Sequence, residues 1–276
     1  MKSELVIHTV KTGKDRVVFT TKDHIEAPNW TPDGAALIYN GGGRLYRLAL
    51  DNPKPQEIDL GSHKKLNNDH GISPDGQTIV FSDKIADGNS CIYTVPVSGG
   101  VPVRITSNTP SYWHGWSPDG ETLTYTARRN GAFDIFTIPV TGGAETQLTT
   151  DMGHCDGPDY TPDGQWIWFN SDKTGSAQLW RMHQDGSKLE QMTQDARVNW
   201  FPHPSPDGGM LVYLSYPTGI LGHPGDLDVE LRLMSPEGGA PRTIVELFGG
   251  QGTINVPSWS PDSRQFAYCR YTKDAT

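Results

Sequence analysis

Short runs of alternating apolar and polar residues recur along the chain and predict β-strands. One set follows a common turn phrase and comprises residues 36–39, 78–81, 122–125, 166–169, 210–213 and 265–268. A second set, rich in aromatic and β-branched residues, comes after a polar loop and comprises residues 92–95, 135–138, 179–182 and 231–234. Gly-containing turns then lead to a further strand, as at 103–106. The pattern predicts an all-β chain built from short hairpins.

The turn phrase is itself a repeat. It reads Ser or Thr followed by Pro-Asp-Gly, with Ser263 replacing Gly in the last copy, and its prolines are Pro32, Pro74, Pro118, Pro162, Pro206 and Pro261. These prolines lie 42, 44, 44, 44 and 55 residues apart. A period near forty with one turn phrase per unit is typical of β-propellers. Counting the residues before each Pro as the innermost strand, each unit supplies the four strands of one blade.

The two ends of the chain predict how the ring closes. After Tyr271 the last unit has only its two inner strands, whereas residues 5–10 and 16–19 have the form of a third and a fourth strand. Pairing these segments removes two open strand edges. The sequence therefore predicts one domain, residues 1–276, forming a six-bladed β-propeller of four-stranded blades, in which the N-terminal strands complete the C-terminal blade.

Composition narrows the classes of partner and compartment. The net charge of −9 argues against a nucleic-acid ligand, whose phosphates need a basic face. No stretch approaches the ~20 apolar residues of a membrane-spanning helix, and the N-terminus lacks a secretory signal pattern. Three scattered cysteines imply no disulfide framework. We therefore expect a cytoplasmic protein without a membrane partner, although a trimmed periplasmic chain would look the same.

Residues at equal offsets before the six prolines should form rings around the central channel. Four residues before, the ring reads Pro28, His70, His114, Pro158, Pro202 and Pro257. Six residues before, it reads Glu26, Asn68, Tyr112, Asp156, Trp200 and Asn255. His154 lies at the offset of eight, and even offsets share one strand face. His203, three residues before its Pro, breaks this parity.

This concentration of histidines is a candidate metal or catalytic cluster. Imidazole serves as a metal ligand or as a base near neutral pH. His70 and His114, with Asp156 or His154 and with His203, could meet at the channel mouth and bind a divalent ion such as Mn, Fe, Zn or Ca. The structural alternative is that each histidine pairs with backbone or with the Asp of a neighbouring blade.

Further candidates lie near the same end of the channel. For substrate binding they are Arg128, Arg129, Trp200, Gln251 and Asn255. The arginines could clamp a carboxylate or a phosphate, but solvated loop charges are the favoured interpretation. Trp200 could stack on a sugar, although packing between blades is favoured.

Blade five has a long insertion, residues 216–228, and loops of this kind often cover a site. The Gly-rich residues 248–255 indicate close backbone approach rather than nucleotide binding.

The Pro-Asp-Gly units resemble the TolB-type β-propeller repeat over essentially the whole chain. This repeat family includes protein-docking scaffolds, regulatory domains of prolyl-oligopeptidase-type proteases and oligogalacturonate lyases, so the fold alone does not choose a function. The histidines before the turn are similar to those of the lyases. That resemblance implies His70, His114 and His203 as metal ligands, His154 as the base and Asp156 as its orienter.

Two classes of function follow. The first is a metal-dependent lyase that eliminates a leaving group from a small carbohydrate derivative, such as a uronide or a keto-sugar, bound in the central funnel. The second is a non-catalytic scaffold that docks a protein partner on its rim. The polar residues at one mouth favour the enzyme, because a docking face is expected to show apolar and Arg anchors. A sugar-binding module without chemistry is a third interpretation.

Overall fold

The computed structural model describes residues 1–84 and 88–272. Within these residues the chain forms antiparallel β-sheets and no helix. Six sheets are present, which confirms the predicted all-β fold of six blades. Inner strands of neighbouring blades contact one another from blade one to blade five, and blade six contacts both blade five and blade one, so the blades close into a ring.

Each of the first five blades contains four consecutive strands. Blade one consists of β3 (Ile25–Trp30), β4 (Ala36–Gly41), β5 (Arg44–Ala49) and β6 (Pro55–Glu57). Blade two consists of β7 (Leu66–Ile72), β8 (Thr78–Lys84), β9 (Ser90–Pro96) and β10 (Val103–Arg104). Blade three consists of β11 (Ser111–Trp116), β12 (Thr122–Arg129), β13 (Ala132–Pro139) and β14 (Thr146–Gln147). Blade four consists of β15 (Cys155–Tyr160), β16 (Trp166–Ser171), β17 (Gln178–His183) and β18 (Glu190–Gln191). Blade five consists of β19 (Val198–Pro204), β20 (Leu211–Tyr216), β21 (Leu227–Met234) and β22 (Arg242–Gly249).

Blade six joins the two ends of the chain, as predicted. Its sheet runs from β23 (Gln265–Thr272) through β1 (Lys2–Thr9) to β2 (Lys14–Thr21). β1 and β23 pair along their full lengths, from Lys2 opposite Thr272 to Thr9 opposite Gln265. In place of a regular inner strand, blade six has an isolated antiparallel β-bridge between Trp259 and Phe266.

The Pro-Asp-Gly phrase folds the same way in every blade. In blade one the Thr31 hydroxyl donates to Asp33 at 2.5 Å and accepts the Ala36 N–H at 3.0 Å, while Gly34 N–H donates to the Thr31 carbonyl at 2.8 Å. Gly34 has a φ of 70°, a left-handed conformation that glycine adopts without steric cost. Side-chain and backbone groups of the phrase together satisfy the hydrogen-bonding groups of the turn, which explains why the phrase recurs from blade to blade.

A β-bulge interrupts the inner strands of the first five blades. It falls about five residues before the turn proline, where Ala27, Gly157 and Phe201 have φ values of 58°, 61° and 56°. A bulge adds one residue to a strand, so the side chains beyond it change face. The strict alternation assumed from the sequence therefore does not hold across this point.

The chain before the sixth turn does not form the regular inner strand that the sequence predicts. Residues 250–257, which we call the channel segment, are largely buried and touch four other blades. The Gly252 carbonyl accepts the Ala27 N–H of blade one at 2.7 Å, and the Ile254 carbonyl bonds to His203 of blade five at 2.8 Å. Asn255 reaches blades two and three. This segment therefore lies inside the channel.

Candidate functional site

A cavity of about 360 Å³ occupies the end of the channel away from the Pro-Asp-Gly turns, and we call it the loop-end cavity. Its lining comes from strands of blades two to five, from His154 just before β15, from the long loop of blade five and from the channel segment. The polar residues on which its chemistry depends are Asp69, His114, Asp156, His223, Gln251 and Asn255.

Asp156 organises one wall of the cavity. Its carboxylate lies 3.0 Å from His114 Nε2 and 3.4 Å from His223 Nε2, and it accepts the Gly157 N–H at 2.8 Å. Burial opposes ionisation of Asp156, but the two imidazoles hold its pKa well below the usual range. Burial also opposes a charged His114, yet Asp156 raises the pKa of that imidazole above its ordinary value. Asp156 and His114 therefore form a buried ion pair.

Asp69 lies close by in a different environment. Its two oxygens accept hydrogen bonds from the side-chain amides of Asn67, at 2.7 Å, and Asn255, at 3.2 Å. Burial raises the pKa of Asp69 to about 6, with Asp156 adding to the rise and His114 opposing it. The cavity thus contains two carboxyl groups whose pKa values are pushed in opposite directions, a pattern typical of functional sites.

Three buried polar atoms of cavity-lining residues have no hydrogen-bond partner among the described residues. They are Oγ1 of Thr126, Nδ1 of His223 and Oδ1 of Asn255. A buried polar atom without a partner carries a desolvation cost of about 1–3 kcal/mol. Because all three residues line the loop-end cavity, the cost is removed if a ligand supplies the matching groups.

Aromatic rings form the remaining walls. Tyr112, Phe133 and Phe201 line the cavity, and His154 stacks on Phe133 with ring centroids 4.7 Å apart. His114 stacks on Phe201 at 6.0 Å. Flat apolar faces beside hydrogen-bonding groups are typical of pockets that bind small polar molecules.

The long loop of blade five brings His223 to the site. The Pro224 carbonyl accepts hydrogen bonds from the Tyr216 hydroxyl at 3.0 Å and from the Gln251 N–H at 3.2 Å, so the loop is tied to its own blade and to the channel segment. The imidazole of His223 packs edge-on against Trp200, with centroids 4.6 Å apart. These contacts fix the ring beside Asp156.

The predicted metal ligands do not gather around one point. His203 uses both ring nitrogens, bonding to Asp159 at 3.0 Å and to the Ile254 carbonyl at 2.8 Å. His114 is likewise committed to Asp156 and, at 3.3 Å, to the Asn255 carbonyl. His70 is fully buried, which lowers its pKa to about 4, and its Nδ1 donates to the Asn68 carbonyl at 3.1 Å.

In residues 1–84 and 88–272, no group of three or more His, Cys, Asp and Glu side chains is arranged to hold a metal ion. With both nitrogens of two predicted ligands already bonded, these residues do not fit the three-histidine metal site.

The other candidates separate into two groups. His154, Gln251 and Asn255 line the loop-end cavity as predicted. Arg128 and Arg129 do not: Arg129 makes a two-pronged ion pair with Glu145, at 2.8 and 2.9 Å, and Arg128 lies over the Phe133 ring. Trp200 is buried behind His223 and His154, which matches the packing alternative. The carboxylate of Asp156 bonds to His114 and His223 rather than orienting His154.

Sequence reasoning missed Asp69 and His223. Asp69 sits at the odd offset of five, and only the bulge makes it a cavity residue. The signal for His223 was present in the long insertion at residues 216–228, which is where a site-covering loop was expected.

The fold and cavity define a six-bladed propeller with a buried acid–imidazole cluster at one end of its channel. The family model for the TolB beta propeller domain matches residues 114–224. The uncharacterized protein Atu1656 of Agrobacterium fabrum is 51% identical over 272 residues, which cover 98% of this chain and 93% of that protein. The chain belongs to this family of TolB-like β-propellers.

Solved structures agree with this assignment. A structure described as a putative TolB from Agrobacterium tumefaciens superposes with a TM-score of 0.97 at 50% identity, covering 99% of both chains. TolB from Acinetobacter baumannii superposes with a TM-score of 0.72 at 21% identity, covering 91% of this chain and 64% of that one. An oligogalacturonate lyase in complex with manganese has a TM-score of 0.58 at 17% identity, with coverage of 90% and 74%, and this likeness shows the fold alone.

Proposed function

We propose that the protein is an enzyme that binds a small carbohydrate derivative in the loop-end cavity and acts on it by acid–base chemistry. The observation that carries the proposal is the pairing of Asp156 with His223. A carboxylate bonded to one imidazole nitrogen orients the ring and leaves the other nitrogen for proton transfer. In His223 that other nitrogen, Nδ1, is the buried atom without a protein partner.

Elimination from a uronide or a keto-sugar is the reaction that this arrangement supports. His223 Nδ1 takes the proton from the carbon next to the carbonyl group, and the C–H electron pair becomes the new double bond. The neighbouring C–O bond breaks, and its electron pair leaves on an alcohol oxygen that solvent protonates. Asp156 holds the base in place, while the charge of His114 keeps Asp156 ionised. No step is assigned to a metal, because the predicted ligands do not fit one.

The experiment is a screen of uronides and oxidised disaccharides for unsaturated products by ultraviolet absorbance. With a substrate found, His223→Gln should lower kcat by about 10²–10⁴-fold, the usual contribution of a general base. His183→Gln is the matched control, because His183 packs on Trp166 in blade four outside the cavity. Full activity in His223→Gln, or no product from any member of the screen, would contradict the proposal.

A protein-docking scaffold is the second candidate. It is favoured by the cavity of about 310 Å³ at the turn end of the channel, lined by apolar residues that include Trp30, Ile72, Trp116 and Trp259. Such residues are typical anchors in protein interfaces. A partner that co-purifies with the protein and is lost in Trp116→Ser, but not in His223→Gln, would support this function.

A cytoplasmic location is proposed on the small number of cysteines. The chain has three, Cys91, Cys155 and Cys269, which are scattered and buried, and such a set implies no disulfide framework that would require an oxidising compartment. The described residues contain no helix able to span a membrane. Fractionation of cells that express the untagged protein tests the location, and recovery in the periplasmic fraction would contradict it.

A further inference from the structure

The part of the loop-end cavity around Asp69 presents hydrogen-bond acceptors to a ligand. The side-chain amides of Asn67 and Asn255 both donate to Asp69, and that of Asn68 donates to Glu26 at 3.2 Å. Each of these amide groups therefore has at least one N–H already used within the protein, and Asn67 also donates to the Ser90 hydroxyl at 3.3 Å. The acceptors that remain for a ligand are the carboxylate of Asp69 and Oδ1 of Asn255. Asn255 is 1% exposed, and its Oδ1 atom has no partner among the described residues.

The two buried carboxylates also differ in their charge partners. Asp156 is bonded to two imidazoles, whereas the side-chain hydrogen bonds that Asp69 accepts from the described residues come from neutral amides. Lys84 lines the same cavity from an exposed position, but in the described part of the chain no ion pair within 4.0 Å joins it to Asp69. A buried carboxylate without a cationic partner is costly, and a cation on the ligand would offset that cost.

We propose that the ligand carries a protonated primary amine, as an amino sugar does, and that this amine donates hydrogen bonds to Asp69 and to Oδ1 of Asn255. The inference rests on the proposed function and names the substrate class of the same site. Asp69 and Asn255 then fix the orientation of the ligand, and His223 acts on it from the wall that Asp156 organises.

An ammonium group suits the part of the cavity around Asp69 better than a hydroxyl group. It has three donors and no acceptor, so every contact with a carboxylate or an amide oxygen is favourable. A hydroxyl brings one donor together with lone pairs that face the same oxygens. The rings of Tyr112 and Phe201, which line the cavity, add attraction for a cation near their faces.

The test compares matched probes by isothermal titration calorimetry at pH 7. The purified protein is titrated with glucosamine, glucose and N-acetylglucosamine, and with galactosamine and galactose. Because charge-assisted hydrogen bonds are about twice as strong as neutral ones, the amines should bind about tenfold or more tightly than the matched neutral sugars. Asp69→Asn keeps the shape of the side chain and removes the charge, and it should abolish this preference.

His223→Gln separates this inference from the proposed function. It should lower kcat as stated above while keeping the preference for the amine. Equal or tighter binding of the neutral sugars would overturn the amine inference and leave the sugar site standing. An amine preference that survives in Asp69→Asn would overturn the assignment of the charge partner. Failure of all five sugars to bind at millimolar concentration, with the protein folded by circular dichroism, would overturn both the inference and the sugar site.

Discussion

Replacing Asp156 by Asn tests the charge network that shapes the loop-end cavity. Asn keeps the size of the side chain and an oxygen that can accept the Gly157 N–H, but it removes the negative charge beside His114 and His223. His114 is 3% exposed, so its imidazolium loses its counter-charge in a site with little water. Breaking a buried ion pair by removing one partner costs about 3–5 kcal/mol. We expect the free energy of unfolding at pH 7 to fall by about 3 kcal/mol, since His114 can relieve part of the cost by losing its proton.

Urea denaturation followed by tryptophan fluorescence measures this loss, with Asp51→Asn as the control, because Asp51 is an exposed carboxylate away from the cavity. NMR titration of the histidine rings should show the pKa of His114 falling in Asp156→Asn. The reasoning fails if the variant loses less than about 1 kcal/mol and His114 titrates as before.

Three further predictions concern the scaffold. Gly71→Ala should lower stability by about 3 kcal/mol, because the new methyl group overlaps the Trp113 ring of the next blade, whereas Gly225→Ala should change little in thermal melts. Deleting residues 1–21 should abolish cooperative unfolding, because blade six then loses two strands; a sharp melting transition would contradict ring closure. Hydrogen bonds from its arginine partner lower the pKa of Glu145 to about 2, so its contribution is present above pH ~4.5 and is lost as the pH falls towards 2. Glu145→Gln should therefore remove about 2 kcal/mol from the stability at pH 7 and flatten the acid limb of the stability curve, and an unchanged acid limb would count against this ion pair.

The fold could be predicted from the sequence because a local cause repeats. The hydrogen bonds of each turn come from its own Ser or Thr, its Asp and the Gly or, in the last copy, Ser that follows, as in Thr31, Asp33 and Gly34. The phrase therefore predicts the same hairpin wherever it occurs. Ring closure by the N-terminus could also be predicted, because the last unit of the sequence lacks two of its four strands.

The site was only partly visible because its geometry depends on two irregular features. The bulge in the inner strand of blade two turns Asp69 towards the cavity. The residue type at that position does not predict the bulge. The channel segment fills the place of a strand, and its backbone carbonyls at Ile254 and Asn255 bond to His203 and His114, which the sequence pattern presents as metal ligands. The loop that carries His223 was recognised by its length, but its contact with Asp156 depends on the fold.

The most direct test of the central claim is a crystal structure of the protein soaked with glucosamine. The account predicts density for the sugar in the loop-end cavity, with its amine within hydrogen-bond distance of Asp69 and of Oδ1 of Asn255 and with its ring beside His223. The account would be contradicted by a sugar bound instead at the turn end of the channel. It would also be contradicted by a loop-end cavity without sugar density at a glucosamine concentration that saturates binding in solution.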